Sequence, residues 1–135
     1  MRKILCTILF LSFSTSTLAE ISVIVHKGNT NSFNKNVISN IFLGKIKTFP
    51  DGSVAIPIKQ EDESINTRFS VEALKKSPSQ LKAYWAKLLF TGKGIPPKAV
   101  ANDIEVLELV NSNPNIIGYI DSNKVTDSVK VIATY

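Results

Sequence analysis

Cysteine and histidine are almost missing from this sequence, with one of each, Cys6 and His26, in 135 residues. Cys6 lies inside an N-terminal apolar stretch that carries the marks of a secretory leader. Arg2 and Lys3 form its basic start, Ile4 to Phe13 its apolar run, and small residues Thr17 and Ala19 a cleavage pattern before Glu20. Cleavage after Ala19 would leave a mature chain, residues 20–135, with no cysteine at all. Disulfides, thiolate nucleophiles and cysteine metal sites are thereby excluded, and an exported protein without covalent staples suits a bacterial periplasm. Cys6 also precedes most of the apolar run, so it is a poor site for a lipid anchor.

A lone histidine at the end of a strand pattern has no partner with which to build a metal cluster or to activate a nucleophile. No G-x-S-x-G frames a serine. The sequence therefore points to no catalytic residues, no metal and no cofactor. Long basic runs are missing too. Without Arg2 and Lys3 there remain 14 basic against 11 acidic residues, a net of +3, and the lysines are scattered. That argues against nucleic acid as a partner while leaving a small anion open. After residue 19 no apolar run is long enough to span a bilayer.

What is present is an alternation of strand and helix patterns. "ISVIV", Ile21 to Val25, reads as a buried strand ended by Gly28 and Asn29. Val37, Ile38, Ile41 and Phe42 recur at helical spacing, with Gly44 placed for a left-handed C-terminal cap. "FPDG" marks a turn, and "SVAIPIK" a second strand with Pro57 hinting at an edge or a strand end. A helix is expected from Ser64, packing Ile65, Phe69, Ala73 and Leu74. Next comes a helix with Ser77 as cap, Pro78 at its first position, Gln80 closing a capping box, and a stripe of Leu81, Tyr84, Trp85, Leu88 and Leu89. "TGKGIPPKA" reads as a loop; it lacks the residues of a phosphate loop, and Gly92 suits a helix cap. A fourth helix, capped by Asn102 with Glu105 three residues on, should bury Ile104, Leu107 and Val110. "IIGYI" and "VKVIA" close the chain as strands. The pattern predicts a single α/β domain with a mixed sheet flanked by helices.

Two polar clusters could hold a ligand. One is "NTNS", Asn29 to Ser32, whose Thr30 and Ser32 offer hydroxyls. The other lies in "QEDESINTRF". If Ser64 caps its helix, the N–H groups of Ile65, Asn66 and Thr67 and the positive end of the helix dipole face an oxyanion, and Arg68, one turn along, can close the site with its guanidinium fork. A capped helix carrying an exposed arginine accounts for the same residues.

Four motifs in order, "IFLGKIKTFPDG", "RF" with Leu74 downstream, "AYWAKLLFTGKGIPP" and "NPNIIGYI", resemble the small periplasmic proteins related to the phosphate-binding components of ABC transporters. The likeness runs from about Ile21 to Ile132. It implies one lobe of a type II periplasmic binding protein-like fold, whose full-length members close two lobes over phosphate at a Ser-Gly-Thr helix start. Ser64, Ile65 and Asn66 match that position, with Ile65 in place of the glycine and Asn66 in place of the last hydroxyl. The implied ligand is phosphate or a similar oxyanion, and Ser64 carries over from the motif. Asn66 and Arg68, the latter placed after the motif and not before it, are expected to complete the set, with Thr30 or Ser32 of the neighbouring donor-rich loop contributing hydroxyls. Glu61, Asp62 and Glu63 oppose it, because like charges compete for the same helix start. A single lobe leaves a half-cleft open to a second copy, a transporter or another envelope protein. The alternative role is an interaction module that uses the lobe as a scaffold for a protein partner.

Overall fold

The computed structural model describes residues 20–135, so the leader and its cleavage site lie outside the described residues. The elements in chain order are β1 (Ile21–His26), α1 (Lys35–Phe42), β2 (Ile56–Gln60), α2 (Glu63–Glu72), α3 (Pro78–Phe90), β3 (Lys98–Val100), α4 (Asp103–Ser112), β4 (Ile116–Asp121), a single 3-10 turn (Ser122–Lys124) and β5 (Val129–Thr134). Five strands form one sheet in the order β3-β2-β4-β1-β5. β2 runs parallel to β3 and β4, whereas β1 is antiparallel to β4 and β5. The expected mixed sheet is present.

Alternation along the strands divides the core between the two faces of the sheet. Ile21, Val23, Val25, Ile117 and Tyr119 face α1 and α2, where they join Ile38, Ile41, Phe42, Ile65 and Phe69. Ile24, Ile58, Ile116 and Ile120 face α4 and meet Val106 and Val110. β1 is buried over its first five residues because both of its faces are covered. At Gly118 an added Cβ would lie 2.7 Å from Cγ1 of Val106, so the missing side chain is what lets α4 press onto β4. Phe42, Phe69 and Tyr119 form an aromatic cluster on the other face. The rings of Phe69 and Tyr119 stack 3.8 Å apart at 8°, and Phe42 meets both edge-on.

Several local expectations change. Lys98 and Ala99, read as the end of a loop, belong with Val100 to a short strand, because directly after Pro96-Pro97 the chain pairs with Ile58–Gln60. β2 is interior, and Pro57 is tolerated because it sits at the strand start, paired to β4 before the β3 ladder begins. α4 buries Val106 and Val110, whereas Ile104 is 65% exposed. The helix is rotated so that Val106, not Ile104, fills the space over Gly118. On α3 only Trp85 of the expected stripe is buried; Leu89 is 52% exposed. The helix packs along one side alone, held by the Tyr84 hydroxyl donating to the Leu43 carbonyl at 2.6 Å and by Trp85 lying over Gly44. Gly44 and Gly92 both take positive φ just after their helices, as their positions suggested.

Candidate binding site

The parallel strands β2, β3 and β4 all end at one edge of the sheet, where α2, α4 and the 3-10 turn begin. In open α/β sheets this is the edge at which ligands bind. Its side chains here are acidic: Glu61, Asp62 and Glu63 after β2, Asp103 after β3, and Asp121 at the end of β4.

Asp62, not Ser64, is the N-cap of α2. One of its carboxylate oxygens accepts from the N–H groups of Ser64 (3.1 Å) and Ile65 (3.3 Å) and from the Ser64 hydroxyl (2.8 Å). The Asn66 N–H already donates to the Asp62 carbonyl. Asp62 takes the cap because one of its carboxylate oxygens reaches two backbone donors and its charge sits at the positive end of the helix dipole. The Ser64 hydroxyl, followed by the Ile65 N–H, holds the Asp62 carboxyl below its ordinary titration range. The helix start expected to meet an external anion thus holds an internal one.

The remaining site residues separate. On α2, Asn66 lies roughly 160° around the helix axis from Arg68, since each residue turns the helix by about 100°. Asn66 points inward, where its Oδ1 accepts from the Tyr119 hydroxyl at 2.9 Å. Arg68 shares its side with Ser64, and its Nε is buried without an acceptor. Thr30 and Ser32 are exposed at the other end of the sheet: β1 is antiparallel to β4, and the loop after His26 lies beside Ile116 rather than Asp121. A six-residue strand, about 20 Å long, separates them from Ser64. Their loop braces the turn at Asp51. Asn31 donates to Asp51 at 3.1 Å and accepts from its N–H at 2.8 Å, while Asn29 accepts two bonds from Asn31. The grouping of Thr30 and Ser32 with Ser64, Asn66 and Arg68 into one pocket is therefore corrected.

Sequence reasoning missed a buried network at the acidic edge. Gln60 donates from Nε2 to Asp103 Oδ1 at 2.8 Å and to the Tyr119 carbonyl at 2.9 Å. Asp103 also accepts from the Asp121 N–H at 3.3 Å, which ties the ends of β2 and β4 to α4. The Gln60 Oε1 is buried with no partner. A polar residue closing a short strand carries no sequence signal of such a role. His26 accepts from the Gly28 N–H through Nδ1 at 3.0 Å and serves the turn that ends β1. Among the described residues no three His, Cys, Asp or Glu side chains are placed to hold a metal ion, and no helix is long and apolar enough to cross a membrane.

A second concavity lies beside α2. It encloses about 410 Å³ between the core aromatics Phe42, Phe69 and Tyr119 and the α3 side chains Leu81, Trp85 and Leu89. Lys59 of β2 and Lys82 of α3 also line it, together with Asn66, and no acidic residue does.

Against proteins of known structure, the fold is that of one lobe of the type II periplasmic binding protein-like architecture, an α/β unit built on a mixed sheet. A phosphate ABC transporter substrate-binding protein with bound phosphate from Clostridium perfringens is similar over 84% of this chain and 45% of its own, with TM-score 0.64 and 23% identity. An ABC-type phosphate transport receptor from Vibrio cholerae matches 84% of this chain and 46% of its own, with TM-score 0.59 and 20% identity. PstS from Borrelia burgdorferi matches 85% and 47%, with TM-score 0.57 and 14% identity. The chain thus spans just under half the length of these neighbours. No family model and no curated protein sequence matches it.

Proposed function

We propose that this chain is an exported, non-enzymatic solute-binding lobe that takes phosphate or a similar oxyanion at the start of α2. Support comes from the fold it shares with phosphate-transport receptors. The observation that carries the site is the Arg68 Nε, buried without an acceptor on the same side of α2 as the Ser64 hydroxyl. A buried donor left unpaired is costly, and an oxyanion reaching the guanidinium would relieve that cost. Ser64 and Arg68 form the contact pair, and Asn66 steadies the helix through Tyr119. Thr30 and Ser32 are too distant to take part. Binding requires the Asp62 carboxylate to yield the Ser64 and Ile65 N–H groups, so affinity is modest. The leader directs the chain to the periplasm, where the open half-cleft is completed by a second copy or by a transporter component.

Thermal unfolding with and without phosphate, sulfate and chloride tests this. Ligand at about a hundred times its Kd raises stability by about 2.7 kcal/mol. A phosphate-specific rise in Tm that disappears in the Ser64→Ala, Arg68→Ala double variant is expected. No such rise, or an equal rise in the variant, removes the proposal.

A further inference from the structure

The concavity beside α2 has a composition that inorganic phosphate does not exploit. Its volume of about 410 Å³ falls in the range of small-molecule sites, and its lining is largely apolar. The cause lies in how α3 packs. Only Trp85 of its apolar stripe is buried, so Leu81 and Leu89 border open space above Phe42, Phe69 and Tyr119. Polar groups enter at defined points. Ile58 faces the α4 side and Gln60 bonds to Asp103 there, so alternation along β2 turns Lys59 to the α2 and α3 side. Lys82 enters from α3, one turn before Ala86, on the same face as Pro78, Leu81 and Trp85.

Two cations bordering an apolar hollow that no carboxylate lines are complementary to one kind of small molecule. From this we infer that the groove binds an amphiphilic anion, an aliphatic or aromatic carboxylate whose apolar body lies between α3 and the core aromatics and whose head meets Lys59 and Lys82. The lysine stems extend the apolar lining while their ammonium groups stay near water, which suits a ligand with one wet end. Arg68 does not line this groove, and Asn66 is turned to the Tyr119 hydroxyl, so the groove stands apart from the Ser64 and Arg68 pair.

Trp85, the only tryptophan, lines the groove and reports on it directly. The protein is titrated with decanoate while Trp85 emission is followed, with decan-1-ol as the uncharged counterpart and inorganic phosphate as competitor. Saturable change with decanoate, about tenfold weaker with the alcohol and about tenfold weaker in Lys59→Met, Lys82→Met, is the expected result, because a charge-assisted contact is worth about that much. A large excess of phosphate leaves the titration unchanged, which separates this site from the oxyanion site. Ala86→Phe, which fills the groove from the exposed side of α3, abolishes the response without lowering Tm. The inference is overturned by equal binding of alcohol and carboxylate, by unchanged affinity in the double lysine variant, by competition from phosphate, or by no saturable response.

Discussion

The two sides of α2 are built to opposite rules. Its start is crowded with carboxylates, and its first N–H groups are taken by Asp62. Its flank facing α3 is apolar, lined by Lys59 and Lys82, and without acid. One helix thus presents a satisfied polar end and an unsatisfied apolar side. The lesson is that where the chain supplies its own anion to a helix N-terminus, as Asp62 does here, an external anion must displace it before it can bind.

The largest expected effect comes from what the two sides share. Phe69→Ala removes the ring stacked on Tyr119 and should cost about 3–5 kcal/mol in urea unfolding, collapsing groove and helix start together. A loss under about 1 kcal/mol would show that the stack does not hold α2 to the sheet. Tyr119→Phe should cost about 1–2 kcal/mol, since it leaves the Asn66 Oδ1 without its donor while keeping the ring. Its effect should fall on stability, with phosphate affinity little changed.

Asp62→Asn acts on the difference itself. It keeps a cap acceptor and removes the competing charge, so phosphate affinity measured by calorimetry should rise a few-fold. Unchanged affinity would place the anion elsewhere. The smallest effect is on acid stability. Because the folded-state pKa of Asp62 is lowered from its ordinary value of 3.8, its stabilising contribution is complete above that pH and is lost as pH falls through the lower folded value. Asp51, held down chiefly by the Ser53 hydroxyl, adds a loss of the same sign. Urea midpoints of the wild type and Asp62→Asn should therefore converge as pH drops below that value.

Much of the fold was legible because its signals are local. β1 and β4 are short apolar runs, and the Ser77, Pro78 and Gln80 capping box and the positive-φ glycines 44 and 92 sit where the sequence placed them. Site residues were less legible for a geometric reason. Ser64 and Asp62 both suit a cap, and only the path of the chain out of β2 decides which oxygen reaches the free N–H groups. Thr30 and Ser32 were grouped with Ser64 for their hydroxyls, whereas strand direction determines which loops share an edge. The stripe on α3 shows the helix but not how much of it finds a partner.

By itself, then, the sequence determined most of the elements, the caps of α3 and α4 and the α/β class, because these depend on neighbours within a few residues. Tertiary structure alone decided that β1 runs against β4, that Asp62 fills the start of α2, and that α3 leaves an apolar, lysine-lined hollow. The first and last depend on contacts between residues far apart in the chain, and the Asp62 cap on the direction in which the chain leaves β2, none of which periodicity and propensity encode.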